Sequence, residues 1–149
     1  MKLVTSAIVD GKILDKYGKR GAMTLSMPFE FIEYPENTLS FALVIEDYDA
    51  IEVCGYDYIH WLVANITSDR LRENASILSK EYFVQGMNSN NENSYIGMAP
   101  PNKTHTYDIT LYALDSRLEL QEGFSYSELH DKMSGHILSQ VNIKGTYDN

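Results

Sequence analysis

One cysteine, Cys54, and four prolines stand in 149 residues. A lone thiol closes no intramolecular disulfide, so the chain holds itself together by burial and asks for no oxidising compartment. Basic residues are also scarce: 12 Lys and Arg against 21 Asp and Glu give a formal charge of −9. That balance excludes broad contact with nucleic acid or an anionic lipid surface, where affinity comes from cations neutralising phosphates. A small anion can still bind, because a pocket's potential is set by its own dipoles and imidazoles more than by distant surface carboxylates. No apolar run approaches the roughly 20 residues of a membrane span. Asp10, Lys12 and Asp15 interrupt the N-terminal run before a signal-peptide core can form. These absences predict a cytoplasmic protein with no integral membrane association. With no repeat and no linker, residues 1–149 read as one domain, long enough to bury roughly two-thirds of its unfolded surface.

What the chain has is alternation and turn chemistry. Asp10-Gly11 between Leu3–Val9 and Ile13-Leu14 predicts a hairpin, since this dipeptide accepts the positive dihedrals of a tight turn. Leu39–Ile45 is apolar at nearly every position, as in a strand covered on both faces. Ile59–Ile66 alternates, with Ile59, Trp61 and Val63 on one face and His60, Leu62 and Ala64 on the other, so His60 and Trp61 should point oppositely. Tyr107–Leu114 is a third inner strand, and His136–Lys144 a further one with Ile137, Leu138 and Val141 in the core. Thr67–Glu73 has the chemistry of a helical turn or two, and the asparagine-rich Asn88–Asn93 that of a surface loop. The clear helix start is Ser125, whose partner Glu128 completes a capping box while Phe124 and Leu129 form a staple. Tyr126, Leu129 and Met133 then share a face, and Gly135 ends the helix. Strands outnumber helices, which predicts a mainly β fold.

Chemistry concentrates between Ile96 and Leu114. There the stiff turn Gly97-Met98-Ala99-Pro100-Pro101 leads into His105 and Tyr107, two polar rings on one strand face. Upstream, Asp47-Tyr48-Asp49-Ala50 and His60 supply carboxylates and a second imidazole. On residue types alone each of these also fits a plain structural role: satisfied core histidines, carboxylates capping backbone N–H groups at a strand end, and a core aromatic at Tyr107. Trp61 reads as core, and Cys54, with no basic cluster beside it, as an inert thiol.

In order, these segments resemble the phosphatidylethanolamine-binding protein family, in its bacterial Raf-kinase-inhibitor-like branch. The likeness runs through Met27-Pro28-Phe29, Leu39–Ala50, His60–Asn65, Tyr95–Tyr107, Leu111–Asp115, Gly135-His136-Ile137-Leu138 and Gly145-Thr146-Tyr147. It implies a β-sandwich with a large antiparallel sheet, a smaller sheet, one or two short helices and a small anion pocket at one end. The family's Asp-Pro-Asp-Ala-Pro falls on Asp47-Tyr48-Asp49-Ala50-Ile51, keeping both carboxylates and neither proline. A cis bond before Ile51 would cost about 3 kcal/mol, far more than before proline. Trp-x-His falls on Tyr58-Ile59-His60, Gly-x-x-Pro-Pro on Gly97–Pro101, and His-Arg-Tyr on His105-Thr106-Tyr107, where the arginine that would brace Asp47 is missing.

The resemblance thus implies a ligand site of Asp47, Asp49, Tyr58, His60, Gly97, Pro100, His105 and Tyr107. In it His60 and His105 donate to a phosphate or phosphate-bearing anion, Asp47 orients one imidazole, Tyr107 adds a hydroxyl and Gly97 lets the backbone approach. Affinity should then strengthen as pH falls through the histidine range. No catalytic residue, metal ligand or cofactor belongs to this reading, which leaves room for a protein partner and a homodimer. A hydrolase using a His-Asp pair is the alternative, although no Gly-x-Ser-x-Gly elbow is present and the motifs offer no nucleophile. A two-His-one-carboxylate metal site on His60, His105 and Asp47 or Asp49 lacks any local ligand spacing.

Overall fold

The computed structural model describes residues 1–149. Its strands are β1 (Lys2–Val4), β2 (Ile8–Val9), β3 (Lys12–Ile13), β4 (Phe29–Ile32), β5 (Ser40–Asp47), β6 (Tyr58–Ile66), β7 (Arg70–Leu71), β8 (Val84–Gln85), β9 (His105–Leu114) and β10 (Ile137–Tyr147). Helices α1 (Ile51–Cys54), α2 (Ala75–Leu78) and α3 (Tyr126–Met133) are short. Seven strands form a sheet in the order β2-β3-β10-β9-β5-β6-β8, and β1-β4-β7 form a second, smaller one. Every pairing is antiparallel except that of β3 with β10. No helix is long and apolar enough to cross a membrane.

The apolar runs account for this layering. One face of β5, β6 and β9 carries Phe41, Leu43, Ile45, Trp61, Val63, Tyr107, Ile109 and Leu111, packed with Leu3, Phe29, Phe31 and Leu71 of the smaller sheet. The opposite face carries Ala42, Val44, Leu62, Ala64, Tyr112 and Leu114 against Leu118, Phe124, Leu129 and Met133. Covered on both sides, β5 is buried along its whole length, as its continuous apolar run requires. The capping box at Ser125 forms as predicted, and Gly135 at φ +83° follows α3.

Two bulges in β6 depart from plain alternation. Ile45 pairs with Trp61, but its neighbour Glu46 pairs with Ile59, so His60 is an extra residue. An extra residue shifts the side-chain period by one. His60, whose ring packs edge-on to Tyr107, therefore shares the face of Trp61 and Val63, while Ile59 joins Leu62 and Ala64 on the other. The expected opposition of His60 and Trp61 is thus corrected. Farther along, Phe41 pairs with Ile66 and Leu43 with Val63, and Asn65 takes φ +59°. The Asn65 amide fixes this second bulge by bonding Leu118 O at 2.8 Å and Leu118 N at 2.7 Å.

Other expectations change for local reasons. Asp10 and Gly11 do turn a hairpin with φ +51° and +78°, but Leu3–Val9 splits, β1 joining the smaller sheet and β2 the larger. Thr67–Glu73 is not helical: Arg70 and Leu71 pair with Glu30 and Phe29, burying Leu71. An isolated helical turn has no comparable gain. β4 pairs with β1 on one side and β7 on the other, and so forms the middle of the smaller sheet. In β10 a bulge lies between Ile137 and Ser139 and Ile137 is exposed; Val141 packs on the core as expected, joined by Ile143 rather than by Ile137 and Leu138. Asn88 in the asparagine loop is buried, its amide bonding Asn90 N, Glu92 N and Ser94 O.

Candidate functional site

The end of β5 delivers Asp47, the bulged start of β6 delivers Tyr58 and His60, and the start of β9 delivers His105 and Tyr107. With the Ile96–Pro101 turn, α1 and Met23 they line one cavity of about 220 Å³. Seven of the eight expected site residues meet there: Asp47, Tyr58, His60, Gly97, Pro100, His105 and Tyr107. Asp49 does not. Its carboxylate turns to β9 and accepts the Thr106 N–H at 2.8 Å, which is the strand-end capping role. No cis peptide bond is present, so Ala50–Ile51 is trans.

Asp47 and His105 form a buried polar pair, with side chains 5% and 1% exposed. His105 Nδ1 donates to Asp47 Oδ2 at 2.7 Å, and the other carboxylate oxygen accepts the Asp49 N–H at 3.0 Å. Burial pushes the Asp47 carboxyl up, and the bonds from His105 and the Asp49 N–H oppose that rise. On its other side, His105 Nε2 lies 2.7 Å from Asn102 Oδ1. The Asn102 amide nitrogen faces Glu52 Oε1 at 3.3 Å, which fixes the oxygen toward the ring. Both His105 nitrogens therefore face acceptor oxygens, so the expected role of His105 as a direct anion donor needs Asn102 to move.

His60 is buried, with Nδ1 at 2.8 Å from Ile96 O. A carbonyl only accepts, so Nδ1 carries the proton and Nε2 of the neutral ring presents a lone pair. Burial pushes His60 down to about 4, with His105 adding a small repulsion. Its ring packs between Tyr58 at 5.0 Å and Tyr107 at 5.2 Å. Tyr107 is held far above the ordinary phenol range by burial and by the Asp47 charge, so its hydroxyl stays a donor.

Gly97 lines the cavity and also shapes its wall. A Cβ there would lie 2.8 Å from Tyr17 O and 2.9 Å from Gly18 Cα, so the glycine lets the turn pack on the Tyr17-Gly18 segment. Gly97→Ala should lower stability by about 1–3 kcal/mol through forced backbone shift. Urea denaturation checks this, and an unchanged midpoint would contradict it. Sequence reasoning missed Met23, Val53 and Cys54 in the cavity lining. Val53 and Cys54 follow Asp47 closely enough to be inferred, whereas Met23 arrives from a distant loop through its carbonyl, which accepts the Gly97 N–H at 2.7 Å. The Cys54 thiol is exposed and donates to Ala50 O at 3.3 Å. Asp47 and His105 engage each other, and no three His, Cys, Asp or Glu side chains are grouped as metal ligands.

The sequence profile described as phosphatidylethanolamine-binding protein matches residues 4–148. The chain belongs to the phosphatidylethanolamine-binding protein family. Among its relatives is a UPF0098 protein of Chlamydia pneumoniae, 37% identical over 153 residues and covering 99% of both chains. YxkA of Bacillus subtilis is 38% identical over 143 residues, covering 87% of this chain and 85% of its own. A crystal structure of a phosphatidylethanolamine-binding protein homologue from Chlamydia trachomatis superposes with a TM-score of 0.89 at 34% identity, over 99% and 96% of the two chains. Escherichia coli YbcL, at 21% identity, shares the fold, with a TM-score of 0.86 over 99% and 98%. In this chain Asp47 and Asp49 are followed by Tyr48 and Ala50-Ile51, and His60 and His105 face the same cavity. Asp47 is braced by His105, with threonine at 106.

Proposed function

We propose that the protein binds a small oxyanion, as phosphate or a phosphate-bearing molecule, in the cavity between Asp47, His60, His105 and Tyr107. The observation that carries this reading is the convergence of two imidazoles and a phenol, from strands far apart in sequence, on one cavity of about 220 Å³. Inorganic phosphate suits its polarity, because near neutrality each ion carries charged oxygens and a P–O–H. The hydroxyl matches the His60 Nε2 lone pair, and the charged oxygens match the Tyr107 hydroxyl. A hydrolase reading has less support: His105, the imidazole with an orienting carboxylate, has its second nitrogen on Asn102, so no free base stands beside a nucleophile.

Amide and imidazole NMR during titration with phosphate and with phosphoethanolamine tests the proposal. Shifts should cluster on His60, Gly97 and Tyr107; shifts scattered over the surface would overturn it. Sulfate gives the pH dependence. It offers no proton to the His60 lone pair, so its binding draws a proton onto a ring pushed down to about 4. Sulfate affinity should therefore rise as pH falls from about 6 toward 4, by up to roughly tenfold per unit. A profile flat to about pH 4.5 would remove His60 from the site.

A further inference from the structure

His105 is almost fully enclosed in the cavity wall, yet its outer nitrogen is held by Asn102 from the exposed segment before β9. Asn102 is tied in turn to Glu52 of α1, whose Oε1 also accepts from Lys103 Nζ at 2.8 Å. α1 and the Pro100-Pro101 turn are two walls of the cavity. The Glu52–Asn102–Lys103 contacts therefore join those walls by a strap on the outside of the molecule. The pair that anchors it is more than half exposed on both sides. Such pairs are weak.

We propose that Asn102 is a built-in occupant of the anion site: its amide oxygen holds the His105 Nε2 proton that an incoming oxyanion takes over when the strap swings away. This inference rests on the anion-binding reading above. The exchange is favourable in direction, because an N–H bond to a charged oxygen is about twice as strong as one to a neutral amide oxygen. What is given up is one bond to an uncharged amide oxygen and a solvent-screened ion pair. His60 and Tyr107 then form the fixed part of the site and His105 the part that is uncovered. Asn102 is a positioning residue: it decides which acceptor His105 faces and leaves the cavity lining unchanged.

The test compares wild type with N102A, N102D and E52Q by calorimetric titration with inorganic phosphate near pH 7, with imidazole NMR on the ligand-free proteins. Asn102→Ala should tighten phosphate binding roughly threefold to tenfold, and Asn102→Asp, which puts a charged acceptor over Nε2, should weaken it by a similar factor. Glu52→Gln should act in the direction of N102A, and it carries the comparison should N102A fail to fold. Without ligand, the His105 Nε2 proton should exchange slowly in wild type and fast in N102A. Equal phosphate affinity in wild type, N102A and E52Q, with shifts at His60 and Tyr107, keeps the anion reading and overturns the strap. No phosphate binding in any of the proteins overturns both.

Discussion

Asp47→Ala should lower the stability of the fold by about 3–5 kcal/mol, among the largest effects expected of any single exposed or buried polar substitution here. The reason is what it leaves behind. His105, 1% exposed, would face a void at Nδ1, and the Asp49 N–H would lose its acceptor in the same step. A buried polar group without a partner keeps the full desolvation penalty. The pair is not thereby a large net stabiliser. Burial raises the Asp47 carboxyl above its ordinary value, so its contribution is fully present below the unfolded value and diminishes as pH rises through the folded one. Asp47→Asn, which keeps shape and an acceptor, should therefore be milder than Asp47→Ala. The double variant D47A/H105A should be destabilised by less than the sum of the single variants. Urea denaturation with a constant m-value measures all four proteins, and a loss under about 1 kcal/mol for D47A would sink the argument.

Asp57→Asn should have the opposite sign. Asp57 is pushed up to about 8 by burial first and by its neighbour Glu46 next, with Asp47 adding to the repulsion. Glu46 is 3% exposed and accepts from Tyr126 at 3.2 Å, and Asp57 Oδ1 is buried with no partner of its own. Tyr48 also faces this pair, while Asp108 nearby is neutralised by Lys144. A carboxyl raised in the folded state holds a proton that the unfolded chain has already lost. Stability is therefore greatest below about pH 4 and declines as pH rises toward 8. Asp57 is only half-buried, so solvent screening trims the effect to about 1–2 kcal/mol. D57N removes the charge and keeps the shape. It should match wild type near pH 5 more closely than at pH 8, where it should be the more stable protein by that amount. Denaturation at about pH 5, 6.5 and 8 settles it; parallel pH profiles would refute the assignment.

Much of the fold is legible in the residues because burial on both faces leaves a strong mark. Leu39–Ile45 and Tyr107–Leu114 could be little other than inner strands, and Ser125 with Glu128 announced α3. The smaller sheet was hidden because β4 and β7 are too short to show a period, and only their mutual pairing buries Leu71. The cavity was legible through its motifs, not through alternation, which placed His60 on the wrong side of β6. The bulge that corrects it is an event between two strands and leaves no local signature. Asn102 escaped for a different reason: an exposed asparagine three residues before a histidine is ordinary until the ring is seen to need a second acceptor. Gly97 was legible as part of the cavity, whereas its close packing on Tyr17 and Gly18, far away in the chain, was not.

The extra residue in β6 also separates what the sheet needs from what the cavity needs. β5 pairs with Ile59 and with Trp61 but not with His60. Removing His60 would restore a regular two-residue period and leave Ile59 opposite Glu46 and Tyr58 opposite Asp47 on their present faces, so the ladder would survive while the cavity lost an imidazole. A single deletion at any paired position of β6 would instead turn the side chains beyond it to the wrong face.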